Sequence, residues 1–131
     1  YIISKMEWMR EEDKGRNKWV IEDLKDVLGE VISKGLGETV KEVILFHMRL
    51  RLGRDPFETL WEEPTAFYRT LRELFGDAAD LFIDFLVGEL RRRYAFHLSK
   101  EELLKFLTDS QKSSLGEWHE LLRNISYLPK R

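Results

Sequence analysis

Asp77-Ala-Ala-Asp-Leu-Phe-Ile-Asp-Phe-Leu-Val-Gly-Glu-Leu90-Arg-Arg-Arg-Tyr94 is the stretch whose reading decides the fold. Its apolar residues, from Ala78 and Leu81 through Phe82, Phe85 and Leu86 to Leu90 and Tyr94, recur at helical steps and never alternate with period two. They cover most of a helical circumference, and only Asp80, Asp84 and the neighbourhood of Gly88 and Arg91 leave a narrow polar stripe. A helix apolar nearly all round is buried on most sides. Residues 78–94 are therefore expected to form the central helix, with Asp77 as its N-cap.

Working outward, the same period holds everywhere. Pro64 suits the first position of a helix that runs to Phe75 and stops at Gly76. A short aromatic turn from Phe57 to Trp61 precedes it. A helix over 38–52 carries Val40, Val43, Ile44, His47 and Met48 and ends at Gly53-Arg-Asp-Pro56. Upstream of Gly35-Leu-Gly37, residues 18–34 show Val20, Leu24, Val27, Leu28, Val31 and Ile32 at three- and four-residue steps. Residues 2–13 form a separate helix that ends at Lys14-Gly15-Arg16-Asn17. Downstream, Ser99 and Glu102 fit a capping box that opens a helix to about residue 107. A last helix, over about 114–124, carries Leu115, Trp118, Leu121, Leu122 and Ile125, and the tail lies along the surface. No strand, internal repeat or dividing linker is read. The expectation is one all-α domain over 1–131, a compact, bundle-like array of about seven helices: an N-terminal helix in 1–14, a core in 27–94 and C-terminal helices in 99–131.

Composition narrows the function. A chain of 131 residues buries about two-thirds of its unfolded surface on folding. Twenty-two basic and 24 acidic residues leave a net charge of -2, which argues against a nucleic-acid binder of the strongly basic kind. Without cysteine there is no disulfide, thiolate nucleophile or thiolate metal site. Few amides (Asn17, Gln111 and Asn124) beside many Glu, Lys and Arg is the thermophilic direction of composition. The most apolar run, residues 81–87, is interrupted by Asp84 and falls far short of the ~20 residues of a membrane span. Tyr1-Ile2-Ile3 runs into a charged stretch rather than the apolar core of a secretory leader, so a cytoplasmic place is expected.

Candidate chemistry is sparse. His47 lies on an apolar side of its helix, where it is either a base or ligand beside a small-molecule pocket, or a partly buried tie between helices. His97 lies in a turn, and His119 follows Trp118. No HExxH or ExxH pair marks a metal site, and no cofactor is expected. Asp80 and Asp84, one turn apart, have the spacing of an acid/base or metal pair, and equally of a solvated stripe. Gly35-Leu-Gly37 lacks the preceding strand and third glycine of a dinucleotide loop. No P-loop or GxSxG occurs. Arg49, Arg51 and Arg54 close one helix, and Arg91, Arg92 and Arg93 close another, where they suit the negative end of the dipole. If the two groups converged they would form an anion or nucleic-acid patch. Ile2, Ile3, Met6 and Met9 share one face with Trp8 at its side, a candidate interface for a partner or a homodimer, because so short a helix is marginal alone.

Three stretches carry a resemblance: Leu36-Gly-Glu-Thr-Val-Lys-Glu-Val-Ile-Leu-Phe-His-Met48, Phe67-Tyr-Arg-Thr-Leu-Arg-Glu-Leu-Phe-Gly76 and the 77–90 stretch already quoted. Over about residues 27–94 the chain resembles a family of uncharacterised small helical archaeal proteins, whose domain type also ends some archaeal signalling proteins as a proposed output domain. The resemblance implies an all-α archaeal protein and brings no catalytic residues. Residues 1–26 and 99–131 lie outside it. The expected function is thus a non-enzymatic domain acting through protein contacts. The alternatives are a nucleic-acid-associated regulator using the two arginine groups, and a ligand binder or enzyme with a pocket near His47.

Overall fold

The computed structural model describes residues 2–109 and 114–128, with side chains from residue 18 onward within those spans. Seven helices follow one another among the described residues: α1 (Ile2–Leu36), α2 (Glu38–Leu52), α3 (Pro56–Glu62), α4 (Pro64–Phe75), α5 (Ala78–Tyr94), α6 (Lys100–Thr108) and α7 (Leu115–Ser126). The expected all-α class holds, with no strand in the described residues. None of the described helices is long and apolar enough to cross a membrane.

Two helices organise the packing. α1 meets α2, α3, α5 and α7, and α4 meets α2, α3, α5 and α6. Leu24, Val27 and Val31 of α1 and Leu71 of α4 are fully buried, together with Trp61, Met48, Ile83, Leu107, Trp118 and Leu122 from their neighbours. Full burial of such side chains stabilises by about 1.5–3 kcal/mol each.

The structure departs from the sequence expectations at four places. The helices expected at 2–13 and 18–34 are one continuous helix of 35 residues, about 52 Å long at 1.5 Å per residue. A glycine inside a helix costs only about 1 kcal/mol relative to alanine, and Gly15 sits between good helix formers with no proline near, so Lys14-Gly15-Arg16-Asn17 does not break it. The side chains of the expected interface, Ile2, Ile3, Met6, Trp8 and Met9, lie outside the described ones.

Phe57 to Trp61 is not a turn but the body of α3. Asp55 caps that helix, accepting from the N–H groups of Phe57 at 2.8 Å and Glu58 at 3.2 Å, and Pro56 takes the first helical position. The capping carboxylate also meets Lys25 Nζ at 2.7 Å, which ties α3 to α1. Burial pushes the Asp55 carboxyl up, but the Lys25 ammonium and the two cap N–H groups outweigh it and hold the group below the usual carboxylate range.

Asp77 does not cap α5: its backbone is already helical and its side chain makes no cap bond. Ser99 does cap α6 as expected, accepting from Glu102 N–H at 3.1 Å. Finally, α5 is not the enclosed centre of the fold. Ala79, Ile83, Leu86, Val87 and Leu90 are buried against α1, α4 and α6, while Leu81 is 69% exposed and Phe82 and Phe85 are half-buried. Apolar circumference says that a second face wants cover, not that the same chain supplies it.

Candidate functional site

α2 carries two apolar faces. Met48 is buried, and Leu45 and Leu52 pack beside it on the core. Val40, Val43, His47 and Leu50, spaced three, four and three residues apart, fall on another side of the helix by its period and are all exposed. Val40 is 43%, Val43 48% and Leu50 66% exposed. Gly53, in the left-handed conformation at φ 72°, ends the helix just beyond them.

Across from the first two of these residues stands the uncovered side of α5. Val40 and Val43 face Leu81, Phe82 and Phe85 over a groove of about 470 Å³, floored by Ile44, Leu71 and Phe75. Among the described residues Thr39 is the sole polar side chain in its lining. At Gly35, α1 passes directly over the Phe85 ring: a Cβ added there would lie 2.1 Å from Phe85 Cζ, so only glycine permits this approach. The rim of α5 is held by polar ties. Tyr68 Oη donates to Asp80 Oδ1 at 2.7 Å, Arg72 meets Asp80 Oδ2 at 3.1 Å, and Lys100 meets Asp84 Oδ2 at 3.0 Å. The Tyr68 hydroxyl, and then Arg72, holds the Asp80 carboxyl below the usual carboxylate range. Asp80 and Asp84 are therefore the solvated stripe, each fastening α5 to a neighbouring helix.

The tie between helices expected of His47 is made by His119, for which no role was expected. His47 is exposed, with the Phe46 ring edge-on at 5.6 Å, and is not the partly buried tie between helices. It does not line the groove, although it shares the helix face that does. His119 is the tie: its ring stacks on Trp61 at 3.9 Å with the planes 2° apart, and Nε2 lies 2.9 Å from the Trp61 carbonyl oxygen. Beside it Trp118 Nε1 donates to the Leu60 carbonyl at 2.7 Å, and the Arg123 guanidinium lies 5.5 Å from the Trp61 ring. Burial holds the His119 imidazole below the ordinary histidine value, despite the opposing bond to Trp61.

Five of the six arginines in the two groups are engaged within the chain. Arg51 pairs with Glu73 at 3.2 Å, Arg54 with Glu58 and Glu62, and Arg92 and Arg93 with Glu89, while Arg91 donates to the Leu98 carbonyl at 3.2 Å. Arg51, Arg54, Arg92 and Arg93 would each have to exchange a carboxylate for a phosphate oxygen, which offsets part of what phosphate binding gains. Arg49 stands exposed beside Phe46 at a second, shallower groove. Among the described residues no three His, Asp or Glu side chains converge to hold a metal ion.

Leu50 and the exposed half of α5 were not legible as a site. The signal was present in residues 38–52, whose apolar residues form two stripes where a helix packed on one side needs one. No protein-family model matches the chain, and no curated protein or solved structure matches it.

Proposed function

We propose that the protein is a non-enzymatic helical domain that works by binding a protein chain on the apolar surface shared by α2 and α5. The observation that carries this is the contiguous exposure of Val40, Val43, Leu81 and the half-buried Phe82 and Phe85 around one groove lined almost wholly by apolar side chains. An apolar patch that the fold leaves uncovered marks an interaction site, and a groove between two helices is the shape that receives an amphipathic helix. The groove gathers none of the titratable groups that proton transfer or nucleophilic attack would need. The resemblance over residues 27–94 supports a signalling output role in an archaeal protein, and the charge-rich, amide-poor composition supports a thermophilic one.

A photo-crosslinking side chain at Leu81 tests this, with the exposed position Glu102 as control. Protein adducts identified by mass spectrometry at Leu81, absent at Glu102 and lost in a Val40→Glu background, are the expected result. Adducts equal at both positions, or at neither, overturn it.

A further inference from the structure

The core holds a cavity of about 40 Å³ at the meeting point of the described helices, each of which contributes to its wall. It is separate from the surface groove, with which it shares no lining residue. α5 stands between the two: Ile83 and Leu86 line the cavity, while Phe82 and Phe85 line the groove.

The lining decides what the cavity can take. Its described side chains are all apolar, and the one N–H among them, on Trp118, is spent on the Leu60 carbonyl at 2.7 Å. Helical bonds occupy the backbone of the wall, and at Leu98, the lining residue outside a helix, the carbonyl accepts from Arg91 at 3.2 Å. A buried water needs about two to four polar partners, and a charge needs a counter-charge, so this wall favours neither. Size narrows the class further. A cavity of ~150 Å³ lined by Leu, Ile and Phe takes up benzene or xenon. With about a quarter of that volume, this one has room for a xenon atom or a diatomic gas and not for a benzene ring. Polar ties also brace the wall. Lys25 and Asp55 join α1 to α3 at 2.7 Å, Lys100 and Asp84 join α6 to α5 at 3.0 Å, and the Trp118 bond joins α7 to α3. Closing the space by moving a helix would strain these ties.

We infer that this core cavity is a binding site for a small uncharged apolar molecule of the size of dioxygen or xenon, walled by Leu28, Leu86, Leu103 and Trp118.

Xenon is the probe, applied under pressure to the full chain with methyl groups labelled for NMR. Saturable shifts at the methyls of Leu28, Leu86 and Leu103 are expected, with none at Val40 and Val43 on the surface groove. Leu103→Phe, which fills the space, should abolish them. Leu103→Ala enlarges the cavity instead, so benzene should raise the melting midpoint of this variant and leave that of the parent unmoved. The two substitutions act in opposite directions, and the parent's own response to xenon stands without either. No saturable shift in the parent, shifts confined to Val40 and Val43, or a response unchanged in a folded Leu103→Phe would each overturn the inference.

Discussion

Two aromatic–histidine steps in this chain, Trp118-His119 and Phe46-His47, meet opposite fates. At the first, α7 presses its aromatic residue into the core and the pair finds partners on α3: the Trp118 N–H on the Leu60 carbonyl, the His119 ring stacked on Trp61 with Nε2 at the Trp61 carbonyl. At the second, Phe46 is 59% exposed and His47 stands in solvent at 5.6 Å from it. Both pairs set an aromatic ring beside an imidazole, although only tryptophan brings an N–H donor. What differs is what lies across from them: α3 across from one, open surface across from the other. A structural anchor and a docking surface are built from the same residue types, and the difference lies in whether the chain's own elements satisfy them.

Trp118→Ala breaks the anchored side and should have the largest effect. Truncating a fully buried tryptophan costs about 3–5 kcal/mol, and here it also strands the Leu60 carbonyl; chemical denaturation should show a loss of that size. A loss below about 1 kcal/mol would mean that α7 is not held to α3 through this side chain.

Gly35→Ala comes next. Its Cβ cannot coexist with the Phe85 ring at 2.1 Å, so the ring, which lines the groove, must shift. Overpacking of this kind costs about 1–3 kcal/mol, partly offset by the ~1 kcal/mol helix preference of alanine. A thermal melt checks the stability, and loss of association alongside it would show that Phe85 shapes the docking surface.

A smaller effect belongs to His119. Its folded value lies below the ordinary 6.5, so the unfolded chain takes up the proton first. The stability it supports is present above pH 6.5 and is lost as the pH falls through the depressed folded value. Denaturation midpoints of the parent should therefore drop between pH 7 and pH 5.5 more than those of His119→Phe, which keeps a ring against Trp61 without a titrating group. Parallel curves would show that burial does not hold the imidazole neutral.

The smallest change in stability should come from Leu81→Ser. Exposed positions usually move stability by less than about 0.5 kcal/mol, so this variant should melt with the parent while losing association. A large drop in its midpoint would show that Leu81 belongs to the core after all.

Residues carried the helices, their class and most of their ends, because helical period, Pro64, Gly53, Gly76 and the Ser99 cap act through contacts a few residues apart. Asp55-Pro56 was a local signal too, and its cap-and-proline pair makes a helix of what reads as an aromatic turn. Burial was another matter. The wide apolar circumference of 78–94 and the double stripe of 38–52 state how much surface wants cover, and the core residues Ile83 and Leu90 look no different in the sequence from the exposed Leu81. Which face is covered depends on residues far along the chain, on where α4 and α1 lie against α5 and where α3 waits for α7. That arrangement alone decided that His119 is an anchor, that His47 faces water and that α2 and α5 leave an apolar groove open.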